Sequence, residues 1–564
     1  MIKRYFYIII PIFAFLTYFP IINNDFVYCD DHDIVLKNSE RINSISNIFD
    51  EFEKGYIGTN YYRPMIYISF IIDYALGGKN PMNYQITNII LHSIMGVLLY
   101  IFLVKLKILE LHSFLIAILF IAHPLFNNAV AWVVGRNDII WGIFVLLSFI
   151  YFINYRNTKK LVHLVIHSFG LLLAFLSKET ALVFPAVLFL YFILQEKFDF
   201  KKLMPIGISW IISYLIYFLL KSNAELGSSV NNFGVEHILT NWRIPIEYIG
   251  KFFLPFDLMV LSTLSLTYTA IGLFCFGILI YFIFKKYKEN SNIILGFLWF
   301  GITTVPFLFF NLLNSNDWNE YLECRSYVPM IGIFIVLLSI IPKKYLNLDK
   351  NYSKSIYVLI LGVFLFFNYN ESFNYKNPIT FYESAIEDDP DKALFHFVLS
   401  RHYRAKGDRI NEEKSLLNSY KANNTYSKYP YNIGVFYFKN EEYNKAIDYL
   451  NKAYFLDSND SDITLSLGKS YLAAGKFDSA TAIMNNQFNE LGYDKDLIYS
   501  LINVNLVIKN YSEAKKFLVL AQQNNDYQKQ IADLLYITYK KLQSENDSLG
   551  IRVLKDFRQY VNRK

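Results

Sequence analysis

The sequence predicts an all-α protein in two parts: a multi-span helical membrane domain over residues 1–375 and a helical-repeat solenoid over 376–564. Three observations predict it. From Tyr5 to Asn368, apolar runs of about 16–20 residues recur, the length that crosses a bilayer. From Lys376 onward the chain turns polar. Within that polar part, aromatic and small residues return every 34 positions.

The apolar runs lie near 5–22, 84–104, 112–126, 138–154, 161–177, 179–195, 203–220, 268–284, 292–312, 327–341 and 355–369, about eleven spans. The first has no small-residue cleavage site, so it is expected to stay as a span. Six basic clusters punctuate the runs: Lys3/Arg4, Lys105/Lys107, Arg156/Lys159/Lys160, Lys197/Lys201/Lys202, Lys285/Lys286/Lys288 and Lys343/Lys344/Lys350/Lys354. With eleven spans all six share one side, which the positive-inside rule makes cytoplasmic. As a twelfth span, Ile244–Leu261 would put Lys285, Lys286 and Lys288 outside, so it is read as interfacial or re-entrant. Tyr62–Leu76 carries Arg63, Pro64 and Asp73 and reads as a helix lying on the membrane. An odd span count places the first loop, 23–83, and the C-terminal domain on the same outer face.

The net charge of +6 resides largely in short loops between spans and does not point to nucleic acid. Three cysteines cannot build a disulfide framework. Cys29 and Cys324 share the outer face, which permits one bridge without requiring it. No Cys/His spacing resembles a structural zinc site.

In the polar part Tyr403, Tyr437 and Tyr471 are spaced by 34, as are Gly434 and Gly468. Tyr443, Phe477 and Tyr511 keep the same step, as do Ala446, Ala480 and Ala514. This is the tetratricopeptide (TPR) period: each unit is a helical hairpin that buries its apolar face only against its neighbours. Three central units are clear; those near 393–424 and 531–560 are degenerate, as caps would be. Such arrays bind peptides or proteins, or act as spacers.

Ionisable groups beside membrane spans are costly and usually functional. Asp25, Asp30, Asp31 and Asp33 crowd into the loop after the first run. Like charges held close favour proton exchange or cation binding, although a solvated loop could carry the same residues. The same face collects His123, Trp132, Arg136 and Asp138 (AHPLFNNAVAWVVGRNDII), Lys178 and Glu179 (FLSKETALVFP), and Glu320, Glu323 and Arg325 (NDWNEYLECRSYVP). His92 lies inside the second span, where a satisfied core histidine is the plainer reading. Cations that neutralise phosphate, together with carboxylates that accept protons or hold metal, suit anionic phosphate chemistry.

The segments CDDHDIVLKN, YYRPMIYISFIIDYALGGKNPMNYQITNIILH, HPLFNNAVAWVVGRND, LSKETALVFP and ECRSYVP together resemble GT-C fold glycosyltransferases. More closely, they resemble the transmembrane-and-TPR protein O-mannosyltransferases and their bacterial relatives. The resemblance covers nearly the whole chain. It implies a polyprenyl- or dolichyl-phosphate sugar donor, mannose as the sugar, and Asp30 and Asp31 as the catalytic pair. The family's Arg-Pro element falls on Arg63 and Pro64, and its His-Pro element on His123 and Pro124. Its Gly-Arg-x-Asp element falls on Gly135, Arg136 and Asp138, and its Lys-Glu pair on Lys178 and Glu179. The element before the tenth span reads Glu323-Cys324-Arg325-Ser326-Tyr327, with Cys324 departing from the pattern.

The expected reaction is an inverting transfer to a hydroxyl acceptor, protein Ser/Thr under the resemblance. Asp30 or Asp31 takes the acceptor proton, and Arg136, Lys178 and Arg325 bind the donor phosphate. Arg63, His92, His123, Asp138, Glu179 and Glu323 support them. Which aspartate is the base stays open, as does a divalent cation held by Asp30 and Asp31. The expected location is a bacterial plasma membrane with the TPRs extracytoplasmic; the alternative is an endoplasmic reticulum membrane with the TPRs lumenal. The rival functions are a GT-C transferase acting on a surface glycan or lipid, and a non-enzymatic membrane-anchored TPR scaffold.

Overall fold

The computed structural model describes residues 5–27, 30–56, 59–195, 199–227, 234–310, 321–341, 350–492, 494–523, 552 and 555. Among them the named elements are all helices, and one isolated bridge joins Lys54 to Glu225. The chain divides into two units, Met1–Asp389 and Pro390–Lys564. The helix Pro378–Asp388 therefore packs with the first unit.

In the first unit each predicted apolar run contains a helix. Six are long and apolar enough to cross a membrane: Pro81–Lys105, Val133–Thr158, Phe200–Asn223, Leu266–Lys286, Ser291–Phe309 and Asn351–Asn374. Glu110–Ala122 and Pro124–Ala131 form a pair bent by 58° that adds a seventh if counted as one span. Phe6–Thr17, Leu161–Phe175, Glu179–Gln195 and Pro329–Ile340 are shorter. Val133–Thr158 is packed on most sides, whereas Phe200–Asn223 and Asn351–Asn374 turn most of their apolar side chains outward. Outward apolar faces are what lipid-facing helices require. Within Ile244–Leu261 the helix is only Arg243–Phe253, 11 residues. That is about 16 Å of rise, too short to span. Ser291–Phe309 and Pro329–Ile340 meet backbone to backbone, since a Cβ on Gly332 would lie 2.3 Å from the Gly296 carbonyl oxygen. Small residues permit such approach between membrane helices.

At His123-Pro124 the helix breaks and bends by 58°, and HPLFNNAVAW continues as a short buried segment. Broken backbone at membrane depth needs partners, and asparagines supply them. Asn88 Nδ2 donates to the carbonyls of Val130 (2.9 Å) and Trp132 (3.1 Å), and Gln85 Nε2 to that of Ala131 (3.1 Å). Asn128 Nδ2 donates to the Tyr375 hydroxyl at 2.7 Å and to the Val260 carbonyl at 3.1 Å. This anchored turn carries Trp132 and Val134 to the site described below.

The second unit stacks helical hairpins: Ala393–Lys406 with Arg409–Ala422, Lys428–Lys439 with Tyr443–Leu456, Ser461–Ala473 with Phe477–Leu491, and Lys495–Val507 with Tyr511–Gln523. The 34-residue spacing is thus a spacing of hairpins. Ala446, Ala480 and Ala514 are fully buried where the helices cross. Ile433, Leu450 and Leu467 fill one core cluster, and Met484, Leu501 and Phe517 the next. The predicted cap near 393–424 is a helical hairpin; the one near 531–560 lies outside the described residues.

Candidate active site

The acidic loop is held from two directions. Arg41 pairs with buried Glu51 (Nη2–Oε2 2.6 Å), donates to the Gly55 carbonyl at 2.8 Å and lies 3.5 Å over the Tyr67 ring. Asp31 is fully buried. Its Oδ2 accepts from the Val27 N–H (3.1 Å), and its Oδ1 from the Val134 N–H (3.2 Å) in the turn Val133–Gly135 that follows the broken segment. Asp31 thereby ties the loop to the turn, and Asp30 is left lining a cavity of about 330 Å³.

The two acids differ in surroundings as well. Burial pushes the Asp30 carboxyl up from 3.8 to about 6, with Arg63 opposing, Asp33 adding and Arg325 opposing. Burial likewise raises Asp31 well above its ordinary range, against the Val134 N–H bond. A carboxyl near 6 suits proton abstraction at neutral pH.

The other cavity walls come from the starts of helices. Arg63, at the N-cap of Pro64–Gly77, pairs with Glu179 (Nη2–Oε2 2.8 Å), whose Oε1 accepts from the Tyr62 N–H (3.0 Å). The Arg63 guanidinium also lies 4.9 Å from the Tyr56 ring and 4.6 Å from the Tyr61 ring. Lys178 donates to both Asp138 oxygens, at 2.6 and 2.7 Å. Burial lowers the Lys178 ammonium pKa, and Asp138 opposes this only in part. Cys324 and Arg325 complete this wall. Cys324 is a free, buried thiol, so it forms no bridge; Cys29 lies outside the described residues. Asp30, Arg63, Asp138, Lys178, Glu179 and Arg325 thus meet in one place, from sequence positions nearly 300 residues apart.

Four of the expected residues are engaged elsewhere. Arg136 is fully buried, and its donors are taken by Asp73 (2.5 Å), the side-chain Oδ1 of Asn88 (2.7 Å) and the backbone carbonyl of Tyr84 (2.9 Å). It is a structural cation and does not line the cavity. His92 Nδ1 lies 2.6 Å from the Tyr327 hydroxyl, and its Nε2 lies 3.3 Å from the Ile121 carbonyl. His123 Nε2 lies 3.0 Å from the Phe252 carbonyl, and its Nδ1 accepts from the Leu125 N–H, which caps the bend. Glu323 is buried against Lys251 (2.6 Å) and accepts from the Met259 N–H (3.0 Å). Conversely Tyr56, Tyr61, Asn137 and Thr180 line the cavity without having been expected there. Among the described residues no three His, Cys, Asp or Glu side chains form a metal-ligating group. Asp31 turns both oxygens to backbone N–H groups, the posture of an anchor.

Curated relatives match several stretches of the chain. It is 35% identical over 98 residues to the protein O-mannosyl-transferase TMTC2 of Mus musculus, covering 17% of this chain and 12% of that protein. It is 32% identical over 161 residues to TMTC4 of Homo sapiens, covering 24% and 22%. It is 29% identical over 179 residues to Tmtc1 of Drosophila melanogaster, covering 30% and 20%. The chain is similar to protein O-mannosyl-transferases. The similarity spans about an eighth to a fifth of the length of these relatives. No family model matches. Among solved structures, the chain is similar to MamA (22% identity, TM-score 0.24, 25% of this chain and 82% of that one). It is also similar to PilW, a type IV pilus biogenesis factor (15%, 0.26, 34% and 84%).

Proposed function

We propose that the protein is a membrane glycosyltransferase that moves mannose from a polyprenyl- or dolichyl-phosphate donor to a hydroxyl acceptor, protein Ser/Thr, with inversion. One observation carries the reading: a carboxyl poised near neutral pH faces Arg63, Lys178 and Arg325 across one cavity. The names of the similar proteins supply the sugar and the acceptor class.

In this mechanism Asp30 accepts the proton of the acceptor hydroxyl. The hydroxyl oxygen bonds to the anomeric carbon from the face opposite the lipid phosphate. The carbon–oxygen bond to phosphate breaks, and its electron pair stays on the phosphate. Lys178, Arg325 and Arg63 stabilise that growing charge. Helices that begin at Pro64, Arg136 and Glu179 add the positive ends of their dipoles. Asp31 positions Asp30 and never meets the proton. The TPR unit holds the acceptor protein; a groove of about 620 Å³ lined by Phe438, Lys469, Leu472 and Tyr499 is formed by the helices Lys428–Lys439, Ser461–Ala473 and Lys495–Val507, the first helix of each of three successive hairpins.

The test is release of labelled mannose from a polyprenyl-phosphate donor by the purified chain in liposomes. Asp30→Asn should abolish transfer with membrane insertion intact. Full transfer by that variant removes Asp30 as the base; a wild type that transfers no sugar favours the scaffold reading.

A further inference from the structure

Three side chains of the same cavity carry polar atoms with no hydrogen-bond partner among the described residues: Trp132 Nε1, Asn137 Oδ1 and Thr180 Oγ1. These residues are 5%, 8% and 5% exposed. A buried polar atom left unpaired is destabilising, and clusters of them mark places where another molecule completes the bonding. None of the three is a loose surface group. Trp132 caps the short buried helix Asn127–Ala131. Asn137 Nδ2 lies 3.2 Å from the Tyr56 hydroxyl, which anchors the amide. Thr180 sits in the first turn of Glu179–Val183.

Their chemistry is complementary to a particular ligand. The indole N–H only donates, the amide oxygen only accepts, and the threonine hydroxyl does both. With its oxygen turned away from Tyr56, Asn137 asks for a donor, which a phosphate oxyanion without a proton cannot be. A neutral, hydroxyl-rich group satisfies all three. Asn137 and Thr180 are sequence neighbours of Asp138 and Glu179, so each wall that holds a charge partner also holds one of these atoms.

We infer that Trp132, Asn137 and Thr180 form the subsite that reads the hydroxyls of the sugar on the lipid phosphate, separate from the cations that hold the phosphate. This rests on the reading proposed above, and it makes these residues the determinants of which sugar is accepted.

The experiment compares two probes on the full-length protein: polyprenyl-phosphate mannose, and polyprenyl phosphate without sugar as a competitor. Thr180→Val keeps the shape and removes the hydroxyl; Trp132→Phe removes the N–H. Each should weaken binding of the sugar-bearing lipid about tenfold. Affinity for the bare lipid phosphate should not change, and Thr180→Ser should restore the wild-type ratio. Equal loss for both probes means a structural role, and an unchanged ratio means that water alone fills the subsite; either overturns the inference. The two readings fail separately. A wild type that discriminates the two lipids without transferring sugar refutes the transferase and leaves the subsite. A wild type that transfers sugar without discriminating the lipids does the reverse.

Discussion

If Asp30 is the base, transfer must follow its ionisation. The carboxyl must be deprotonated to act, so kcat/KM should rise with pH and reach half its plateau at about 6. About a tenth of the plateau should remain one pH unit lower. Two neighbours move this limb in opposite directions. Asp33 raises the Asp30 pKa and Arg325 lowers it. Asp33→Asn should shift the limb towards acid and Arg325→Gln towards alkali, each by on the order of half a pH unit. At pH 6 the first variant would then run at roughly three quarters of its own plateau and the second at roughly one quarter. Asp33 is 44% exposed, so its shift should fade in high salt, while that of Arg325 should persist. Stability supplies a control. Because the folded pKa is raised above the unfolded 3.8, the native state loses stability as pH climbs from about 4 to 6. Asp30→Asn should therefore unfold at higher temperature than the wild type at pH 7.5, and the gain should vanish near pH 4. The assay is sugar transfer in liposomes across pH 4.5–8.5, each profile normalised to its plateau. A flat profile, or shifts of the same sign in both variants, would refute the assignment.

Asp31→Asn leaves one side-chain acceptor for two backbone N–H groups; thermal unfolding should show a loss of about 1–3 kcal/mol and activity should fall at every pH. Arg136→Gln strands a buried Asp73 and should cost about 3–5 kcal/mol, much of it recovered by adding Asp73→Asn. A stable Arg136→Gln protein that had lost only phosphate binding would contradict the structural role given to that arginine. In the repeats, an alanine Cβ at 434 would meet Leu450 Cγ at 2.5 Å, whereas one at 468 would meet the flexible Met484 Cε at 2.6 Å. Hydrogen exchange should show Gly434→Ala loosening its hairpin by about 1–3 kcal/mol and Gly468→Ala doing less. Truncation after Asp389, which keeps the helix Pro378–Asp388, should spare transfer to short peptides and impair transfer to proteins. Equal losses would make the repeats structural.

Much of this was legible because charges are sparse in an apolar chain. Asp30, Arg63, Asp138, Lys178, Glu179 and Arg325 stand out beside the apolar runs, and the structure gathers all six in one cavity, although six or seven helices, not eleven, are long enough to cross a membrane among the described residues. The repeat was legible because its period counts residues and needs no tertiary information. What the sequence hid was which charges pair. Arg63 and Arg136 both read as outer-face arginines, yet one lines the cavity and the other is consumed by Asp73, 63 residues away.

A signal for that difference was present. Ser69 and Asp73 are four apart on one helix, and both meet Arg136. Gln85, Asn88 and His92 recur at steps of three and four on the next long helix, and all three point inward at carbonyls or side chains of other segments. A polar stripe at helical spacing inside an apolar helix therefore marks side chains that satisfy broken backbone or a buried ion. The residues gathered around the cavity follow another rule. Arg63, Asp138, Glu179 and Thr180 stand at helix starts, and Asp30, Lys178 and Arg325 lie outside the long helices. There the backbone N–H groups have no helical partner and the local field is positive. Position relative to helix ends thus helps separate residues left open to the cavity from those that hold the fold, and it removes His92 from the first set; His123 caps a helix start but spends both ring nitrogens on the Phe252 carbonyl and the Leu125 N–H. Arg136 opens a helix too, but Asp73 already occupies it, so the rule selects only together with the stripe.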